Sequence, residues 1–263
     1  MWIPRPGRVL AETALMVSPL VVSDLLGRFA LSSASTAFRH AEQIAQLERA
    51  SGVDVEYWFT AVVGAHPTLH AAASGYYATV HVAAVTVAAL AVATLRPERW
   101  APMRTAFLIT SGLGLLISRL WPLMPPNLAG PDIGRVGAVL PASHPPNAYA
   151  AMPSLHTAWA LWTAVALVVA TRHLRPALRW PAVALGVGHV AVTVAIVFGL
   201  GHHFLTDVLA GAAVVAAGVG GAAVVQALAS DRPDRVRFRD RVRGMRRGVA
   251  RSGPAAVGAL PGR

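Results

Sequence analysis

The chain has 263 residues, of which 55% are hydrophobic and 13% charged, with a mean hydropathy of +0.52. Soluble domains carry about 25% charged residues, so this composition excludes an ordinary water-soluble globule and describes a membrane protein. The net charge is +11, every basic residue is arginine, and the lack of cysteine excludes a disulfide framework, a thiolate nucleophile and a zinc–thiolate site.

A spanning helix needs about 20 mostly apolar residues. The first candidate, Val9–Leu31, is interrupted by Glu12, Asp24 and Arg28, the last two spaced to pair on one helix face. Ser32-Ser33-Ala34-Ser35 raises the rival reading of a cleaved signal peptide. The apolar run is too long and too interrupted for a signal core, so a retained helix is expected. Arg39–Ala50 interleaves Ala41, Ile44, Ala45 and Leu47 with polar residues, which predicts a short amphipathic helix outside the bundle. Val55–Leu69 suggests a second interfacial helix.

Five further spans follow: Ala73–Leu95, Thr105–Trp121, Pro153–Thr171, Trp180–Gly201 and Phe204–Ala229. His81 and His189 within them are expected to line the bundle or bond between helices, and Gly211, Gly218, Gly220 and Gly221 to allow close packing. Between Asp231 and Arg251 nine arginines face three aspartates. This block reads as a solvated tail beside anionic lipid headgroups, worth roughly 1 kcal/mol per basic residue near the surface. With no interleaved aromatic beyond Phe238, nucleic acid is not an expected partner.

The expected fold is therefore all-α, a polytopic membrane bundle of about six transmembrane helices with short interfacial helices on the outer side. Residues 1–34 form an N-terminal membrane helix, 35–229 the membrane domain, and 230–263 a basic, disordered tail. Arginine asymmetry sets orientation. Arg5 and Arg8, then Arg96, Arg99 and Arg104, then Arg172, Arg175 and Arg179, and finally the tail all fall on one side of six spans. That side is expected to be the cytoplasm, holding both termini of a multi-pass cell-membrane protein. Arg119, Ser154 with His156, and His203 with Asp207 then converge on the opposite, outer face.

His203 and Asp207 are four apart and share a helix face. A carboxylate beside an imidazole sets its tautomer and stabilises charge on it, which suits a histidine nucleophile; a buried structural pair is the alternative. Pro153-Ser154-Leu155-His156 opens a span, where free N–H groups and the positive dipole end favour an anion. Ser154 could donate to a phosphoryl oxygen and His156 could protonate a leaving oxygen. The same tetrapeptide also reads simply as a helix start with a polar first turn. Arg119, deep in its span, needs an anionic partner or a wet cavity, or else snorkels to the interface. Adjacent His202 and His203 point about 100° apart, so a shared metal ion is not expected.

Taken together, Pro153-Ser154-Leu155-His156 and Gly201-His202-His203-Phe204-Leu205-Thr206-Asp207 resemble the type 2 phosphatidic acid phosphatase superfamily. Within it, the Pro-Ser-Leu-His form resembles the inositolphosphotransferase branch that includes the inositol phosphorylceramide synthases. Asn147–His156 resembles bacterial members of that branch, as do Ala41–Glu48 and the pair Tyr77 and His81. The resemblance covers roughly residues 35–215. It implies a six-helix bundle with a metal-independent site that uses no cofactor. His203 would attack phosphorus, Asp207 would orient it, His156 would act as general acid, and Ser154 would help hold the phosphoryl oxygens. Relatives carry a phosphate-binding arginine where this chain has Asn127, and an arginine where it has Val197. Arg119 and Arg135 are the nearby cations left to bind phosphate.

The function expected on that basis is transfer of a phosphoryl-linked group from a lipid phosphate to a polyol acceptor such as inositol. A lipid phosphate phosphatase with water as acceptor is the alternative, and a non-catalytic membrane protein with a decayed site is another.

Overall fold

The computed structural model describes residues 6–28, 33–53, 55–130, 133 and 149–251, without the side chains of Pro6, Arg8, Arg28 and 231–251. The expected Asp24–Arg28 pair and Arg135 therefore lie outside the described residues. Among the described residues the chain is helical and without strands. The helices are α1 (Pro6–Arg28), α2 (Ala34–Ala50), α3 (Glu56–Gly64), α4 (Pro67–Leu95), α5 (Pro97–Leu120), α6 (Pro126–Ala129), α7 (Leu155–Thr171), α8 (Pro176–Gly199) and α9 (Leu205–Arg251). By its contacts the chain divides into one unit ending at Ala222 and a second beginning at Ala223.

Among the described residues, five helices are long and apolar enough to cross a membrane: α1 over Val9–Gly27, α4, α5, α8, and α9 over Leu205–Ser230. The protein is a polytopic membrane helical bundle. Helix α7 has 17 residues, about 25 Å at 1.5 Å per residue. That is shorter than a hydrocarbon core of about 30 Å. It packs against α4, α5 and α8, and ten of its residues are buried, so it sits among protein rather than lipid.

Proline sets several boundaries that apolar runs alone place elsewhere. Pro67, Pro97 and Pro176 occupy the first turns of α4, α5 and α8, where a missing N–H costs nothing. Thus α4 starts at Pro67 rather than Ala73, and α5 at Pro97 rather than Thr105. The single helix expected over Val55–Leu69 is broken at His66, which precedes Pro67 and is extended, a bias that proline imposes on its predecessor.

The core of the first unit joins α4, α5 and α7 through Val92, Met103, Phe107, Trp159, Trp162 and Ala166. Trp162 is fully buried and donates its indole N–H to Met103 O at 3.0 Å, while Trp159 donates to Ser111 Oγ at 3.0 Å. Buried aromatics keep a polar partner in this way. Three glycines of α9 meet the expectation of close packing, among them Gly221, where a Cβ would lie 3.1 Å from the Ile109 side chain. A Cβ on Gly211 would lie 2.6 Å from Ser154 O, and one on Gly218 would overlap Thr110 Oγ1 and Ala106 O. Gly220 departs from it, facing open space. A second cluster seats α2, through Ala37, Phe38, Ala41 and Ala45, against Leu123, Tyr149 and Phe204. There Leu123 N donates to Tyr149 O at 2.8 Å, and Ala151 N to Leu123 O at 3.2 Å. Helix α2 thus braces the segments that lead into α7 and α9.

Candidate active site

The site begins with the turn between α8 and α9. Gly201 has φ +65°, a left-handed conformation that favours glycine, and a Cβ there would come 3.0 Å from the Asn127 side chain. The turn is pinned on both sides: His202 N donates to Val197 O at 2.9 Å, and Asn127 N donates to Gly201 O at 2.8 Å. Beyond it, Asp207 Oδ2 accepts from Phe204 N at 2.9 Å and lies 3.3 Å from His203 Nδ1. Asp207 is fully buried and His203 is 5% exposed. The second carboxylate oxygen, Oδ1, is buried without a hydrogen-bond partner among the described residues. With Nδ1 directed at Asp207, Nε2 is the ring nitrogen left for chemistry.

Helix α7 is tied to the same place. Ser154 N donates to Asp207 O at 3.0 Å, which joins the first turns of α7 and α9. This puts the His156 ring 6.3 Å from that of His203. Both rings line a cavity of about 430 Å³, together with Arg119, Asn127, Tyr77 and His202. Tyr77 of α4 stacks on His156 at 4.1 Å and lies against His202 at 4.5 Å, while His81 meets the edge of His156 at 4.5 Å. Four segments far apart in sequence thus supply one concave, polar site.

Of the residues singled out from the sequence, His203, Asp207, His156 and Arg119 come together here. Ser154 comes with them, but its hydroxyl is turned to a different task. It is fully buried, accepts from Thr157 N at 3.3 Å and pairs with Thr157 Oγ1 at 3.0 Å, capping α7. It does not line the cavity. Val197 is fully buried in α8, with its carbonyl holding the His202 turn. Of the two other histidines, His189 makes the expected helix-to-helix bond, to Tyr76 OH at 2.6 Å.

Sequence reasoning missed two features. The first is the pair Asn127 and His202, whose Nδ2 and Nδ1 atoms are 3.1 Å apart at the cavity rim. Burial, with His203 and His70 adding, holds the His202 imidazole down at a pKa of about 4, so it is neutral at pH 7. The second is Glu48 of α2, 2% exposed, whose carboxylate accepts from Thr206 N and Thr206 Oγ1, both at 2.7 Å, and from Leu205 N at 3.4 Å. Burial raises its pKa above the usual carboxylate value, against the lowering effect of these bonds. Glu48 closes an amphipathic stretch that signals a surface helix, and no local pattern marks its contact with α9, 157 residues on.

The fold and the site define a polytopic membrane protein with a histidine–carboxylate pair facing a second histidine across a polar cavity. A family model of the PAP2 superfamily matches residues 42–221, and the chain belongs to that superfamily. No curated protein and no solved structure matches the chain. It is accordingly an enzyme of the phosphatase/phosphotransferase type. The match spans the site and leaves α1 and the arginine-rich C-terminal part outside.

Proposed function

We propose that the protein transfers a phosphoryl-linked group from a lipid phosphate to an alcohol acceptor, in the manner of inositolphosphotransferases, through a phosphohistidine on His203. The observation that carries this reading is the His203–Asp207 bond, with His156 facing it across the same cavity. In the first step His203 Nε2 forms a bond to phosphorus as the bond to the leaving oxygen breaks, and His156 gives that oxygen its proton. Asp207, bonded to His203 Nδ1 through its carboxylate, stabilises the imidazolium as positive charge develops there. In the second step the acceptor hydroxyl loses its proton to His156, its oxygen bonds to phosphorus, and the bond to Nε2 breaks.

Arg119 supplies positive charge to the phosphoryl oxygens, together with the N–H groups of the first turn of α7. Arg135 is retained as a second cation in this reading. Ser154 contributes by capping α7 rather than by touching phosphate. An apolar chamber of about 850 Å³ between α1, α4 and α5, with Trp159 in its wall, suits the hydrocarbon part of a lipid. The uncharged Asn127–His202 pair stands where relatives carry a cation. It offers hydrogen bonds without charge, which fits a neutral polyol better than a second phosphate. The arginine clusters support an outward-facing site, with both termini and the basic tail at the anionic cytoplasmic leaflet of the cell membrane.

Turnover with a labelled lipid phosphate is expected to trap an acid-labile phosphohistidine that His203→Ala abolishes; label persisting in that variant would sink the assignment. Adding inositol is expected to divert label from free phosphate to the alcohol. Phosphate release unaffected by any alcohol would establish the second reading, a phosphatase with water as acceptor.

A further inference from the structure

We propose that Glu48 is a positioning residue for the reaction at His203, holding the start of α9 so that the imidazole is aimed into the cavity. What it affects rests on the phosphohistidine reading above; the geometry itself does not.

A helix N-terminus has unpaired N–H groups and a positive dipole end, and so attracts anions. At α9 these groups are already taken. Thr206 N and Leu205 N both donate to the Glu48 carboxylate, and the Thr206 hydroxyl adds a third bond. A carboxylate only 2% exposed is costly unless it is hydrogen-bonded, so this contact is a specific arrangement rather than an incidental one. The anchor is independent of α9's own helical bonds. Helix α2 is seated by Ala37, Phe38, Ala41 and Ala45, which pack with Leu123 and the fully buried Phe204.

His203 therefore sits between two restraints. On one side Gly201 and His202 are bonded to Asn127 and Val197; on the other Glu48 grips residues 205 and 206. Asp207 sets which nitrogen is free, and Glu48 holds the backbone from which both side chains project. A second consequence follows from charge. Because the α9 N-terminus is filled by a carboxylate, an incoming phosphate is kept from that end and left to the side of the cavity bearing His156 and Arg119.

The test uses the full chain in detergent, with Glu48→Ala, Glu48→Gln, and Thr206→Val, which removes one bond but leaves the carboxylate. Three quantities are read per folded molecule: kcat and KM on a lipid phosphate, and the rate at which diethyl pyrocarbonate modifies His203. A misplaced reacting group costs about 100-fold. Accordingly kcat is expected to fall about 100-fold in Glu48→Ala and by less in the other two, with KM within about twofold. His203 modification should rise about threefold or more as the ring leaves its seat, while that of exposed His173 stays constant. Unchanged kcat and unchanged His203 reactivity in the Gln and Val variants would overturn the proposal, as would a loss confined to KM. If Glu48→Ala does not fold, those two variants decide it. The modification rate needs no turnover, so altered reactivity in an enzyme that forms no phosphohistidine would reject the reaction proposed above and leave the positioning role standing.

Discussion

His203 and Asp207 are legible in the sequence because a spacing of four on a helix places two side chains on one face, and the structure bonds them at 3.3 Å. Ser154 was legible as a residue but not in its task, since a hydroxyl at a helix start serves an anion or the helix's own N–H groups equally well. Which it serves depends on which way the rotamer packs. His202 shows a different effect of environment, with a consequence for stability. The unfolded imidazole takes up a proton as pH falls below about 6.5, whereas the folded one waits until about 4. Between those values the unfolded state binds more protons, so stability falls as pH drops, by up to about 3 kcal/mol. Glu48 acts in the opposite sense, because its raised pKa gives the folded state the extra proton in the same acid range. The expected outcome is that His202→Asn flattens the decline of Tm between pH 6.5 and 4, measured by thermal unfolding in detergent. An identical slope in that variant would contradict the burial argument.

At the scale of elements, the site depends on how closely α9 approaches α7. Gly211 permits that approach, since a Cβ would meet Ser154 O at 2.6 Å, and the neighbouring Ser154 N–Asp207 O bond registers one helix on the other. Overpacking of this kind costs about 1–3 kcal/mol and moves backbone. Gly211→Val is therefore expected to lower Tm and to reduce turnover by more than its loss of folded protein explains, with helical content by circular dichroism retained. Full activity in that variant would show that the α7–α9 spacing does not set the distance between His156 and His203. The apolar runs placed the starts of α4, α5 and α8 later than Pro67, Pro97 and Pro176, because the first turns that proline opens hold polar and charged residues as well. The sequence read Pro153–Thr171 as a full span, whereas α7 has 17 residues and is buried among three other helices, which an apolar run does not reveal.

For the whole molecule, arginine asymmetry makes a claim that is separable from the chemistry. With six crossings, α7 counted among them, every arginine cluster would fall on one side and the catalytic segments on the other. A reporter fused after Arg251 is expected to read as cytoplasmic, and one inserted between α6 and α7 as external. An external reading at Arg251 would reverse the proposed orientation while leaving the site's geometry intact.

Composition and hydropathy by themselves determined an all-helical membrane bundle, because a bilayer leaves a chain with few ways to satisfy its backbone. The two histidine motifs determined the family, because their residue types and spacing reflect one reaction. Only the tertiary structure decided that Glu48 caps α9, that Asn127 meets His202, and that Tyr77 and His81 pack around His156. These contacts join segments 75 or more residues apart, or helices whose rotation about their axes an apolar run does not specify. They exist only once the helices have packed, so no local pattern in the chain encodes them.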